Sequence, residues 1–429
     1  MQLKLKDVAK IKEATINMDG ITVIAGENNT GKSTIGKVLF SIFNSMYNME
    51  DKIMSEKKKR IEQIIEDMFP RSFVRQKSNT GTYNGTYHHF LYTPLNQIMD
   101  MNVYNDLEKL KEILLEATQN TSLKVLLDNP EEWVQECLEK ISLIVNISTE
   151  KIVTEITTRW FDKVFEEQFS PLNQSDIVSE IYLKIKDKSL NYNFKNDTCT
   201  NLNTELNILH QAFYIDNPFI IDSLFNEFSP FNTNITDFHL LDYLSKEKGI
   251  YDDIFDAVIA KEKLMEINSI LSEIIEGEIL KTNGNKYYLI SQKYDKPLNI
   301  KNLSTGLKSF VLIKRLLETG SLKEKDVLIL DEPEVHLHPE WQLAYAELIV
   351  LLQKKFDLTI IITTHSPYFL DAIDVFSAKH KLSDRVNYYL AENSENVSYL
   401  HNVTNNIDII YKKLSDPLQK LENIRNGLL

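Results

Sequence analysis

The stretch Gly26-Glu27-Asn28-Asn29-Thr30-Gly31-Lys32-Ser33, with Thr34 behind it, constrains this chain more than any other. It fits the pattern G-x-x-x-x-G-K-[ST], which carries meaning only between a buried strand and a helix. Both neighbours are present. Ile21–Ala25 is a short β-branched run of the kind buried in a sheet, and an apolar helical pattern runs from Ser33 through about Phe43. In such a turn the backbone N–H groups curl around phosphates and the helix N-terminus adds its positive dipole end. Glycine is needed where a Cβ would block that approach. Residues Gly26 to Thr34 are therefore expected to hold a nucleoside triphosphate. Lys32 would reach its β- and γ-phosphates, and the Ser33 hydroxyl would ligate magnesium.

A second stretch has the matching chemistry. Val327-Leu328-Ile329-Leu330 reads as a fully buried parallel strand, and Asp331-Glu332 sit at its C-terminal edge, where open α/β sheets place their ligands. Asp331 is expected to hold magnesium and Glu332 to act as general base on the attacking water. Taken alone, the pair would serve equally well as a cap on the turn at Pro333.

Two further segments gain weight from their order. Ser304 is a good N-cap for a helix beginning at Thr305-Gly306. His365, in Thr363-Thr364-His365-Ser366-Pro367, follows another buried run, Leu358–Ile362. Leu303-Ser304-Thr305-Gly306-Leu307-Lys308 resembles the signature motif of ABC-type ATPases, with Thr305 for the first glycine and Leu307 for the glutamine. The four segments stand in that family's order, and Asp331–Pro339 resembles the branch holding the OLD-family and SMC/RecF-like ATPases. The resemblance is specific over Met1–Phe43 and roughly Ile300–Phe369.

That resemblance implies an α/β fold: an ABC-type P-loop ATPase head, a mixed sheet with flanking helices, built from 1–43 and 285–429. A large, mainly helical insertion would fill 44–284, with 212–216 returning to the head as a strand. It further implies ATP and magnesium as cofactors, and His365 as the switch histidine at the γ-phosphate. Ser304, Thr305 and Gly306 would act in trans, in a head-to-tail, ATP-dependent dimer of this chain, with higher assembly open. Glu334, His336 and His338 fall in a loop that crosses between subunits, not in a zinc site. The glutamine that senses magnesium has no clear position: Ala212–Asp216 is followed by Asn217-Pro218, and Gln76 and Gln211 are only candidates.

Composition narrows the role. With Gly 12, Pro 11 and Cys 2 the chain is neither collagenous nor a disulfide scaffold, and Cys137 and Cys199 fit a reducing compartment. A net charge of −14 argues against coating nucleic acid with the whole surface. Lys57-Lys58-Lys59-Arg60 is the one basic run with a claim on DNA, and most such runs are solvated helix faces. Tyr83, Tyr87, His88 and His89 read as a surface loop. No apolar run approaches the ~20 residues of a spanning helix, so a cytoplasmic protein with no membrane partner is expected. The stretch after His365 is too short for the TOPRIM nuclease that OLD-family proteins carry. The expected role is a nucleotide-dependent switch in bacterial antiphage defence or DNA maintenance, acting on an effector encoded nearby, such as a nuclease, as in systems of the Septu or PARIS kind. A RecF-like DNA-binding ATPase in repair is the alternative. A transporter subunit fits less well, because Ser33 and Leu303 are too far apart.

Overall fold

The computed structural model describes residues 1–68, 106–119, 129–171, 176–225, 234–246, 254–282, 286–293 and 295–426. Gln76, Tyr83, Tyr87, His88 and His89 lie outside them. The chain forms two compact units, Met1–Tyr47 with Ile156–Leu429, and Asn48–Glu155.

The larger unit is built on an eleven-stranded sheet. Its parallel block joins β3 (Ile21–Gly26), β7 (Ala212–Ile215), β11 (Val327–Asp331), β12 (Thr359–Thr364) and β13 (Val386–Ser394), in the order β13-β3-β12-β11-β7. Strands covered on both faces need apolar side chains at nearly every position, and β3 and β7 are buried along their whole length. Register aligns the C-terminal ends: Asp331 pairs with Thr363, and Thr363 with Ile24. The phosphate-loop strand and the acidic strand thus finish on one edge, one strand apart. The run 212–216 enters this block beside β11.

Helix α1 (Lys32–Met46) leaves that edge and returns along the sheet, burying Ile35, Val38, Leu39 and Phe40. Beyond β13 the sheet is mixed. β14 (Val397–Asn402) hairpins with β13, and β1 (Gln2–Val8) with β2 (Ile11–Asn17). These two antiparallel hairpins are joined by a parallel pairing of β14 with β2.

Residues 178–204, to which the sequence assigns no element, extend β1 as a meander of β4 (Val178–Ile185), β5 (Lys188–Lys195) and β6 (Thr198–Thr204). Its buried side carries Tyr192 and Phe194, which meet Phe161 and Phe169 with ring centroids 4.6–6.0 Å apart. Asn, Lys and Thr on the outer face mask the alternation in the sequence.

The helical pattern over 259–280 also divides. The helix ends at Ile274, and 278–282 turn into β8 (Glu278–Thr282), paired with β9 (Lys286–Ile290) in a separate small sheet. Gly277 between them has φ 133°, where an L-residue would be strained and its Cβ would meet the Ile290 carbonyl. The segment Pro367–Lys379, unassigned from sequence, is a helix whose cap is Ser366, accepting from Phe369 N at 3.1 Å, with Pro367 in its first turn. Trp341 packs edge-on against Phe310 of the helix 305–318, 6.2 Å between centroids.

The smaller unit has its own core. Helices α2 (Met49–Met68), α3 (Leu107–Gln119) and α4 (Pro130–Val145) bring together Ile61, Ile65, Leu110, Leu114, Val134 and Ile141. On α2, Lys57 donates to the Val145 carbonyl at 3.2 Å, Lys59 faces Glu56 at 3.5 Å, and Arg60 donates to Gln63 at 2.8 Å. The basic run is therefore partly engaged by its own unit.

Candidate functional site

The loop between β3 and α1 is shaped by its backbone. Asn29 has φ 60° and Gly31 φ 75°, so the chain turns left-handed twice before the helix. Such turns aim successive N–H groups into a concavity suited to an anion. No side chain caps the start of α1, which leaves its first amides directed at that concavity. The Thr30 hydroxyl closes the loop on the Glu27 carbonyl at 2.8 Å, and Lys10 braces it from outside, donating to Asn29 O at 2.7 Å. Glu27, Asn28 and Asn29 are exposed, and Glu27 lies 3.5 Å from Lys413 on α11, the helix Asp408–Arg425.

Lys32 lies across the loop, donating to the carbonyls of Gly26 at 3.3 Å and Glu27 at 2.8 Å. Burial lowers its pKa to about 8, against the opposing pull of Glu332, Asp331 and Glu334. The ammonium is thus under-neutralised, a condition that a phosphate would relieve.

The carboxylates of β11 meet this loop. Ser33 donates to Asp331 Oδ1 at 3.1 Å, and the Thr363 hydroxyl donates to the same oxygen. The phenol of Tyr214 donates to Oδ2 at 2.5 Å. Burial, with Asp331 beside it, pushes the Tyr214 phenol well above its ordinary value, so it remains a donor. The Glu332 amide donates to the Thr363 carbonyl and hydroxyl, both at 3.1 Å, and holds Glu332 at φ 50°. Its carboxylate lies 2.7 Å from His365 Nε2. Burial and the charge of Lys32 lower the His365 pKa, while Glu332 opposes them. Below His365, the Glu334 carboxylate accepts the Thr364 hydroxyl and the His365 amide, the latter at 3.1 Å, and its pKa is raised by burial.

Lys32, Ser33, Asp331, Glu332 and His365 thus fall into one cluster, and Ser33, Asp331 and Glu332 of it line a cleft of about 270 Å³ together with Asp216 and His336. Ser304, Thr305 and Gly306 do not join its hydrogen bonds among the described residues. The exposed Ser304 caps α8 (Thr305–Glu318), accepting from Leu307 N at 3.4 Å.

Gln211 is no part of the site. Parallel pairing sets the start of β7 beside Val327, so Gln211 lies at the opposite end of the strand from Asp331 and its amide donates to Asp326. The residue following β7 at the cleft is Asp216, whose pKa is raised by burial and by Asp331. His336 and His338 are exposed, whereas Glu334 is buried under the site. No group of three or more histidine, cysteine or carboxylate side chains among the described residues is placed to hold a metal unaided. A hard cation here would take oxygen from Ser33 and Asp331 and the rest from phosphate and water.

Motif spacing named Lys32, Ser33, Asp331 and Glu332, and the family resemblance named His365; the structure brings these five together. Both missed Tyr214, which no motif marks, and the roles of Thr363 and Glu334, which stood inside motifs read for other residues.

The chain is similar in sequence to parts of several known proteins. The chain is 26% identical over 175 residues to a retron Ec83 probable ATPase of Escherichia coli, covering 30% of this chain and 32% of that one. It is 24% identical over 446 residues to endonuclease GajA of Bacillus cereus (strain HuB5-5), covering 94% of this chain and 58% of the relative. It is 31% identical over 120 residues to Septu protein PtuA of Bacillus thuringiensis, covering 25% and 27%. The chain therefore spans between about a quarter and about six-tenths of the length of these relatives. A family model described as AAA ATPase domain matches residues 1–370, and with that match the chain belongs to the AAA ATPase domain family.

Proposed function

We propose that this chain binds ATP at the loop 26–34 and hydrolyses it, using the nucleotide to switch a head-to-tail dimer of itself. One observation carries the reading: the unbroken hydrogen-bonded path from Ser33 through Asp331 and Thr363 to Glu332 and its contact with His365. A triphosphate cradled by Gly26–Thr34 brings its outer phosphate toward these groups. Ser33 and Asp331 would hold magnesium, which supplies charge neutralisation on the phosphates. Both present oxygen to one small space, the donor type that ion requires.

Lys32 then exchanges two carbonyl contacts for phosphate oxygens. Glu332 accepts the proton of the attacking water, and its 2.7 Å neighbour His365 orients that carboxylate and donates toward the γ-phosphate. The exposed Ser304 caps the helix start that continues through the half-buried Thr305 and the buried Gly306, and we assign that start to the nucleotide of a second copy.

Glu332→Gln tests both halves. Phosphate release should fall by about 100-fold or more, while ATP binding persists and sizing with ATP and magnesium shows a trapped dimer. A Glu332→Gln protein that stays monomeric under those conditions overturns the dimer, and a wild-type protein with no affinity for ATP overturns the whole reading.

We also propose a place in antiphage defence, with a separately encoded effector. Support comes from the resemblance of Asp331–Pro339 to the OLD and SMC/RecF-like branch and from kinship with a retron ATPase and a Septu protein. Purification with the proteins of its own operon should return an effector such as a nuclease; a membrane permease in its place sinks this assignment.

A further inference from the structure

Tyr214 stands 117 residues from Asp331 in the chain, yet its phenol is the only partner that Asp331 Oδ2 has among the described residues. The contact is set by the sheet. β7 pairs with β11 in parallel, Tyr214 opposite Ile329, and the ring extends along the strand until its hydroxyl reaches the carboxylate two positions further on. The side chain is 2% exposed and its ring meets Phe40 of α1 edge-on, 6.2 Å between centroids. With the ring packed on the helix that carries Ser33, the hydroxyl has little freedom to move. Asp331 is thus held at both oxygens: by Ser33 and Thr363 on Oδ1, by Tyr214 on Oδ2. Two-sided bonding fixes the plane of a carboxylate, which one-sided bonding leaves free to rotate.

We propose that Tyr214 is a positioning residue for the divalent cation: its hydroxyl holds the Asp331 carboxylate in the plane that receives magnesium together with the nucleotide. The inference rests on the ATPase reading and adds a residue to it. Groups that orient a metal ligand without touching the metal set its affinity, and losing one costs on the order of 10-fold. Tyr214 acts through Asp331 alone, so it governs the metal-dependent part of binding and leaves the phosphate loop unaffected.

The test is Tyr214→Phe in the full chain, which deletes one oxygen and keeps the ring on Phe40. Affinity for a fluorescent, non-hydrolysable ATP analogue is measured first in EDTA and then across a magnesium titration. In EDTA it should stay within about twofold of wild type, while the magnesium concentration giving half the metal-dependent gain rises about 10-fold. In an Asp331→Asn background the same substitution should add nothing, since the residue through which it acts is gone.

Tyr214→Met, which fills the space without a donor, must give the same shift. A folded variant of either kind with an unchanged magnesium half-point overturns the proposal. Equal weakening with and without the metal overturns it too, because a packing role would do that. If wild type itself gains nothing from magnesium and releases no phosphate, it is the ATPase reading that has failed.

Discussion

Lys32 is the residue whose charge state answers most directly to the nucleotide. Burial holds it at about 8 with no phosphate bound, and phosphate oxygens favour the ammonium and raise that value. At pH 8.5 a large share of Lys32 is neutral, so ATP binding should take up protons; at pH 6.5 Lys32 is already charged and takes up none. Calorimetry in buffers of different ionisation enthalpy reads this directly. The uptake should appear only at the higher pH and vanish in Lys32→Met, and buffer-independent heats at pH 8.5 would contradict it. Lys32, Ser33, Asp331 and Glu332 were legible as residues because each sits at a fixed offset from a strand end, and strand ends are written locally. Tyr214 was not, because its meeting with Asp331 depends on which strand lies beside β11.

Among the elements, α8 shows how its offered N-terminus is held. Lys308, 3% exposed at its side chain, lies 2.7 Å from Asp222 and donates to the Lys301 carbonyl at 3.1 Å, with Phe219 5.0 Å from its ammonium. Asp222 and Phe219 belong to the 3-10 turn Pro218–Phe225, two residues beyond the Asp216 that faces the cleft. A buried cation deprived of its partner costs far more than a pair removed together. Asp222→Ala should therefore lower unfolding free energy by about 3 kcal/mol in urea, and adding Lys308→Met should return part of it. A loss below about 1 kcal/mol in the single variant would mean the pair is not what secures α8. Elements with one clear period or one short apolar run, such as α1, α8 and β11, were readable. The meander β4–β6 was not, since its outer face is polar enough to read as loop.

At the scale of the whole molecule, the two units have separate cores, one around the large sheet and one around Ile61, Leu110 and Ile141. Separate cores melt as separate cooperative units. Calorimetry should resolve two transitions, and ATP at about 100 times its Kd should stabilise only the one belonging to the larger unit, by about 2.7 kcal/mol. A single transition that moves as one with ATP would contradict that division. By itself the sequence determined the pieces whose bonding is local: the strand, loop and helix around Lys32, the acidic end of β11, and the cap of α8. A turn of backbone and its nearest side chains suffice to define these. Only the tertiary structure decided that β7 adjoins β11, that Tyr214 and Thr363 hold Asp331 between them, and that Glu334 lies beneath His365. Those contacts follow from strand order and register, which are set by burying all the apolar faces at once, and no single segment encodes that solution.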